Sequence, residues 1–246
     1  MAPKIINDED KQQRQQVIMG AALELIRSGG GVGAVTIDKV VAKVPYSKGT
    51  VYGHYSSKED LLTAMCNYCV STLIEVFAAA IDFEGSTREK ALCLAYSYLL
   101  HAQSDMTRFN LVVTAKTPAT RAKASQHHTE EHMALEDDLN RLFCSVIVDA
   151  IDNGELTPKP GMDAGGVAFA IWSMAYGTVA LLQDQVERCA IRESQVLEVA
   201  YLTHTNLVLD GLGWQPLDNS IDLQALTRAC HQRVAPQIKN HGLHKP

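Results

Sequence analysis

Aromatic residues are scarce in this 246-residue chain, at 6% of the total, and several familiar signatures are missing. No apolar stretch reaches the roughly 18 uninterrupted residues that a transmembrane helix needs. The densest candidate, residues 165–182, is interrupted by small residues and followed at once by Gln183 and Asp184. The N-terminus, with Asp8, Glu9 and Asp10 and then a Gln-rich stretch, has no apolar core of a signal peptide. These absences predict a cytoplasmic protein that does not engage a membrane. No alternating apolar–polar strand pattern occurs, and short β-branched clusters such as Leu111–Thr114 lie among helical signals. The fold class read from this is all-α. Six cysteines (Cys66, Cys69, Cys93, Cys144, Cys189, Cys230) are scattered without disulfide-framework spacing, which favours reduced thiols.

What the chain has is an ordinary globular balance, 46% hydrophobic and 20% charged, with a net charge of −6. That acidic total hides an asymmetry. Residues 1–58 carry eight Lys/Arg against five acids, while the rest carries 14 against 23. A mildly basic head on an acidic body is compatible with local contact to phosphates.

Apolar residues recur at helical spacing from about Glu9 to Arg27, and Gly29, Gly30 and Gly31 end that helix. Thr36 can cap a short second helix, Pro45 stops it, and Ser47 can cap a third through about Tyr55. Ser57-Lys58-Glu59-Asp60 then has a capping-box layout, with Asp60 in the place of the usual Glu or Gln, and opens a helix to about Ile81. Further helices are predicted over Thr87–His101, Met106–Thr114, one long helix over Thr120–Asp152, Asp163–Gln185, Glu193–Leu209 and 220–235, with a frayed end after Pro236.

Short helix, turn and short helix over Thr36–Tyr55 (TIDKVVAKVPYSKGTVYGHY) is the helix-turn-helix arrangement, whose second helix fits the DNA major groove. Ile37, Val40, Val41, Val51 and Tyr55 would fix the interhelix angle. Lys48, Thr50, Tyr52 and His54 would offer polar groups outward.

Arg14–Ile26, Thr36–Lys43 and Ser47–Leu62 together resemble the N-terminal domain of the TetR family of transcriptional regulators. Gly49, Thr50, Tyr52, His54, Tyr55, Lys58, Glu59 and Leu61 all fall in register with the family pattern. One departure is visible: Val44-Pro45-Tyr46-Ser47 stands where the family usually has Ala-Gly-Val-Ser. The resemblance implies that Thr36, Ser47, Lys48, Gly49, Thr50, Tyr52, His54, Tyr55 and Lys58 form the surface that meets double-stranded DNA. It also implies a homodimer through helices 163–185 and 193–209, a palindromic operator, and release by a small-molecule effector. Apolar or polar-tipped residues that would line the effector site are Tyr68, Tyr96, Leu100, His101, Phe109, Val113, Trp172 and Tyr176. The domain boundaries that follow are 9–56 for the DNA-binding head, 57–213 for the ligand-binding and dimerisation body, and 214–246 for a C-terminal extension.

Two other constellations are weighed. His128-Thr129-Glu130-Glu131-His132 matches the H-x-x-E-H pattern of one class of zinc proteases, but a third ligand is not evident in the sequence. A solvated helix face is the plainer reading; a sensing site using His127, His128 or His132 is the sharper one. Cys66-Asn67-Tyr68-Cys69 is a lone CxxC inside a helix and reads as buried thiols, with a redox sensor as its alternative. No metal, cofactor or catalytic residue is assigned. The main reading is a ligand-responsive regulator, not an enzyme. Its rivals are a zinc hydrolase built on His128–His132 and a helical interaction protein without DNA binding.

Overall fold

The computed structural model describes residues 8–115, 117–183, 189–217 and 221–240. Among the described residues every regular element is helical. In chain order these are α1 (Asp8–Leu25), α2 (Ile37–Val41), α3 (Lys48–His54), α4 (Lys58–Ile81), α5 (Thr87–Ser104), α6 (Met106–Ala115), α7 (Pro118–Arg121), α8 (Gln126–Asp152), α9 (Ala164–Leu182), α10 (Ala190–Glu193), α11 (Leu197–Leu212) and α12 (Leu223–Asn240). Residues 1–7 and the chain end after Asn240 lie outside the described residues.

The chain packs as two compact units. The first comprises residues 8–70 and Thr107–Leu135, and the second comprises Ser71–Met106 and Glu136–Asn240. Helices α4, α6 and α8 contribute residues to each.

In the first unit Ile18, Ala21, Ala22 and Leu23 of α1 are buried with Ile37 and Val40 of α2, Val51 of α3, and Leu61 and Leu62 of α4. Val41 is only half-buried. The glycine run ends α1 as the sequence predicts. A wide turn over Ile26–Gly30 follows the helix, and Gly29 at φ 98° takes a conformation that a side chain would strain.

The long helix expected over Thr120–Asp152 is two helices. Thr117 caps the single turn α7, accepting from the Thr120 backbone N–H at 3.3 Å, with Pro118 as the first helical residue. Ser125 then caps α8, accepting from the His128 N–H at 3.3 Å. The break is a pair of side-chain caps, which hydrophobic periodicity does not register.

In the second unit α9 packs on α11, and α5 packs against α9, α11 and α12. Ser86 and Glu89 form a reciprocal capping box that starts α5. Gly213 at φ 75° closes α11, which ends three residues later than expected, at Leu212. Arg88 is fully buried, a costly place for a charge unless it is paired. Its Nη1 donates to the Trp214 carbonyl at 2.7 Å, and its Nη2 donates to Asn206 Oδ1 at 3.0 Å and pairs with Asp210 at 2.7 Å. Trp214 is itself fully buried and donates from its indole N–H to Thr87 Oγ1 at 2.9 Å. Helix α12 buries Leu226, Cys230 and Val234 and continues through Pro236 to Asn240, where the proline predicted fraying.

Two helices, α4 and α9, are long and apolar enough to cross a membrane by length and composition alone. The expectation of none rested on uninterrupted apolar runs, which Asn67, Ser71 and Thr72 break in α4 and Gly177 and Thr178 break in α9. In α4 the apolar window is 56% buried within the fold, and in α9 only 28%. Phe169, Trp172 and Leu181 of α9 and Val199 and Leu207 of α11 are accordingly exposed.

Candidate nucleic-acid interface

Helix α3 is short, and its position is set at both ends. At its start Ser47 has extended backbone, and its Oγ accepts from the Thr50 N–H at 3.1 Å and lies 2.9 Å from Thr50 Oγ1. At its end Tyr55 is 1% exposed and stacks on His128 of α8, with centroids 5.7 Å apart and planes 25° from parallel. Between them Val51 has no exposure, and α3 packs on α2. Lys48, Gly49 and Tyr52 are left exposed, with Thr50 half-buried. Thr36 performs the same capping task for α2, accepting from the Lys39 N–H at 3.3 Å.

The atypical turn is held from outside itself. Arg14 of α1 places its guanidinium 5.8 Å from the Tyr46 ring centroid, and Lys43 pairs with Glu24 of α1 at 3.6 Å. Tyr46, standing where the family usually has Val, thus becomes a contact with α1.

Lys48 lies in an exposed ion pair with Asp38 of α2 at 2.7 Å and 5.8 Å from the ring centroid of Tyr52. Hydrogen bonding to Asp38 raises the Lys48 pKa, so it is a full cation at any physiological pH. His54 is half-buried, and its Nδ1 is buried without a hydrogen-bond partner. Burial lowers its pKa, and Lys11 and Arg14 of α1 lower it further.

Tyr55 carries two expectations, core packing and DNA contact. At 1% exposure it packs in the core and does not lie on the outward face. Burial pushes its phenol pKa up, and Asp60 and Glu131 add to the shift.

The sequence reading missed the support beneath this surface. Asp60 closes the start of α4, but not as a simple capping box. Its Oδ2 accepts from the backbone N–H and hydroxyl of Ser56 at 2.8 and 2.9 Å. Its Oδ1 accepts from the Ser125 N–H at 2.9 Å and His128 Nδ1 at 2.7 Å. Burial opposes ionisation of this carboxyl, but the hydrogen bonds from Ser125, His128 and Ser56 outweigh it and hold the pKa far below the usual range. Ser57 caps α4, accepting from the Asp60 N–H at 3.0 Å, and donates its hydroxyl to the Lys123 carbonyl at 2.8 Å. The irregular Asp at this capping position was the available signal.

The residues expected to line an effector site divide between the two units. In the first, Tyr68 is half-buried with the Arg108 guanidinium 5.8 Å from its ring centroid, Phe109 is half-buried and Val113 is exposed. In the second, Tyr96 is buried and donates its hydroxyl to Glu198 at 3.2 Å; burial and then Glu198 push its pKa up to about 12. Leu100 is half-buried, and His101 Nε2 lies 2.9 Å from the Thr72 hydroxyl. Trp172 is half-exposed and lies beside Phe169 and the half-buried Tyr176, at centroid distances of 6.0 and 6.4 Å.

Comparison with known proteins places this geometry. Residues 18–65 match the model of bacterial regulatory proteins of the tetR family. The HTH-type transcriptional regulators Rv0472c and MT0489 of Mycobacterium tuberculosis are each 26% identical to the chain over 162 residues. Each alignment covers 65% of this chain and 62% of the relative, so the chain spans less than two thirds of their length. A tetR-family regulator from Rhodococcus RHA1 shares the fold with a TM-score of 0.62 at 20% identity, over 83% of this chain and 98% of that one. Bacillus subtilis FadR, solved in complex with stearoyl-CoA, does so with a TM-score of 0.61 at 18% identity, over 80% and 98%. The all-α fold class read from the sequence is therefore that of these structures. Residues 18–65 thus carry the helix-turn-helix of the tetR family of bacterial regulatory proteins, and the chain shares the fold of solved regulators of that family.

Proposed function

We propose that the chain is a cytoplasmic repressor that binds a palindromic operator as a homodimer and leaves it when a small molecule binds. The observation that carries the DNA contact is the bare outer face of α3. Gly49 and Gly53 lie four residues apart in a seven-residue helix, where each costs about 1 kcal/mol of helix propensity relative to Ala. Nothing among the described residues requires them: a Cβ on Gly53 would meet no atom within 4 Å, and one on Gly49 only Ser47 Oγ at 3.8 Å. Glycines unneeded by their own fold fit a surface that another backbone must approach closely. Lys48, Thr50, Tyr52 and His54 flank them, with Thr36 and Lys58 at the starts of α2 and α4, where helix N-termini favour phosphates.

One such helix reads few base pairs, and a two-fold pair of them reads a palindrome. The exposed apolar side chains of α9 and α11 support a dimer through the segments 163–185 and 193–209, of which residues 184 and 185 lie outside the described ones. The working division is a DNA-binding head over 9–56, a ligand-binding and dimerisation body over 57–213 and an extension over 214–246.

The effector reading is a mostly apolar molecule held by some of Tyr68, Tyr96, Leu100, His101, Phe109, Val113, Trp172 and Tyr176. The FadR structure with stearoyl-CoA and the Mycobacterium tuberculosis ketosteroid regulator KstR2 (TM-score 0.57) support that class by fold alone. Effector and DNA would each favour a different arrangement of the dimer, and linkage makes each weaken the other equally.

Selection from random duplexes with the purified full chain tests the reading. Enrichment of an inverted repeat is expected. No enriched sequence from a folded protein overturns DNA recognition and leaves the helical interaction protein standing.

A further inference from the structure

The H-x-x-E-H stretch does not fold as the zinc-protease pattern requires. His132 is buried and turned to Asn67, its Nδ1 lying 2.9 Å from Asn67 Oδ1. The cluster that forms is a different one: ligand atoms of His127, His128 and Glu131 lie within 4.8 Å of one another.

Two of these three are already oriented. Asp60 Oδ1 lies 2.7 Å from His128 Nδ1 and engages that nitrogen, which leaves Nε2 as the one a metal ion would take. A carboxylate that holds the far nitrogen of an imidazole is the usual support of a metal-binding histidine. Glu131 accepts from Asn67 Nδ2 through Oε2 at 2.8 Å, which leaves Oε1 unclaimed by that bond. His127 is exposed, with its ring centroid 5.0 Å from that of His128.

The cluster opens into a cleft of about 300 Å³ whose other wall is Lys11, Gln12 and Gln15 of α1. Glu131 in the lining and Asp60 behind His128 set two carboxylates against the ammonium of Lys11. Donors around a tetrahedral zinc ion at 2.0–2.2 Å stand about 3.4 Å apart. The closing from 4.8 Å falls to the side chains of His127 and Glu131, which are both on the surface.

We infer that His127, His128 and Glu131 form a binding site for a divalent transition-metal ion of the zinc class. Two imidazoles and one carboxylate suit that class better than magnesium or calcium, which prefer all-oxygen shells. The fourth position faces the cleft, where water or a glutamine amide oxygen of α1 can complete it. Bound there, the ion would sit on the ring against which Tyr55 stacks.

Titration of the reduced full chain with Co²⁺, followed by visible absorption and calorimetry, tests the site without reference to DNA. The expected result is one ion per chain, with nitrogen and oxygen ligand-field bands and no thiolate-to-cobalt charge transfer. His127→Ala and Glu131→Gln, both at exposed positions, should each weaken binding at least 10-fold while the thermal unfolding midpoint without metal stays put. The exposed Met133→Ala on the same helix should bind as the parent does. Absence of stoichiometric binding, a thiolate band, or undiminished binding in both ligand variants would overturn the assignment.

Discussion

Tyr55 and His128 stack at 5.7 Å, joining the residue that caps the end of α3 to a helix more than seventy positions along the chain. The contact explains how a seven-residue helix keeps one orientation: its far end is clamped by the packing of α8 as well as by its own turn. Asp60 reinforces the clamp, because it holds His128 on one oxygen and Ser56, next to Tyr55, on the other. Tyr55→Ala should therefore cost about 3–5 kcal/mol of stability, the range for removing a buried aromatic ring. Chemical denaturation measures it, and a loss under 1 kcal/mol would show the ring to be dispensable.

Gly49 separates stability from recognition. Gly49→Ala adds a methyl group where the fold has room and raises helix propensity, so the protein should gain about 0.5–1 kcal/mol. Operator affinity should fall, because the methyl stands where the DNA backbone or a base edge must come close. A melting curve and a binding isotherm on one sample check both signs. A variant that is stabilised and binds DNA undiminished would rule out close approach at this position.

Lys48 and Asp38 form a pair that DNA must compete for. Asp38→Asn releases the ammonium and removes a negative charge from the same face, so operator binding should tighten while the unfolding midpoint barely moves. Lys48→Ala should weaken binding and lower the slope of log affinity against log salt by about 0.9, the share of one phosphate contact. Fluorescence anisotropy across a salt series measures both. An unchanged slope in Lys48→Ala would place Lys48 away from the phosphates.

Much of this was legible in the sequence because it is local. The caps at Thr36 and Ser47, the burial of Val51 and the exposure of Lys48 and Tyr52 each follow from spacing within a few residues. The partners of Tyr55 and Asp60 were not legible, since periodicity says that a helix has an apolar or polar face and not which helix meets it. The same limit hid the split between α7 and α8, where Thr117 and Ser125 act as caps inside a helix-favouring stretch. Pro236 misled for a related reason. The rule that proline ends a helix is local, whereas α12 is held by Cys230 and Val234 packed among residues of the second unit.

His54 gives the head a pH response with a definite sign. Its pKa is lowered in the fold by burial and by Lys11 and Arg14, with Tyr55 its ring neighbour. Above pH 6.5 both folded and unfolded forms are neutral, and the group has no effect. As the pH falls through 6.5 the unfolded chain takes up the proton first, so stability drops until the lower folded pKa is passed. Comparing denaturation of the parent and His54→Gln between pH 7.5 and 5 isolates this share. The parent should lose more stability than the variant over that range, and parallel curves would mean that His54 titrates normally.

The dimer prediction turns on side chains that a lone chain has no reason to expose. Phe169 is 62% exposed and Leu207 64%, on two helices that pack against each other in the second unit. A charge at either position should leave the protomer folded, because neither side chain belongs to its core. In an interface between copies the same charge would be buried without a partner, which strongly destabilises association. Phe169→Asp and Leu207→Glu should therefore sediment as monomers with parental helix content. Their operator affinity should fall by about 100-fold or more, since a single head loses the effective concentration that its partner supplies. A parent that sediments as a monomer, or charged variants that remain dimeric, would move the interface away from α9 and α11. Charged variants that are monomeric yet bind the operator undiminished would instead show that one recognition helix is enough.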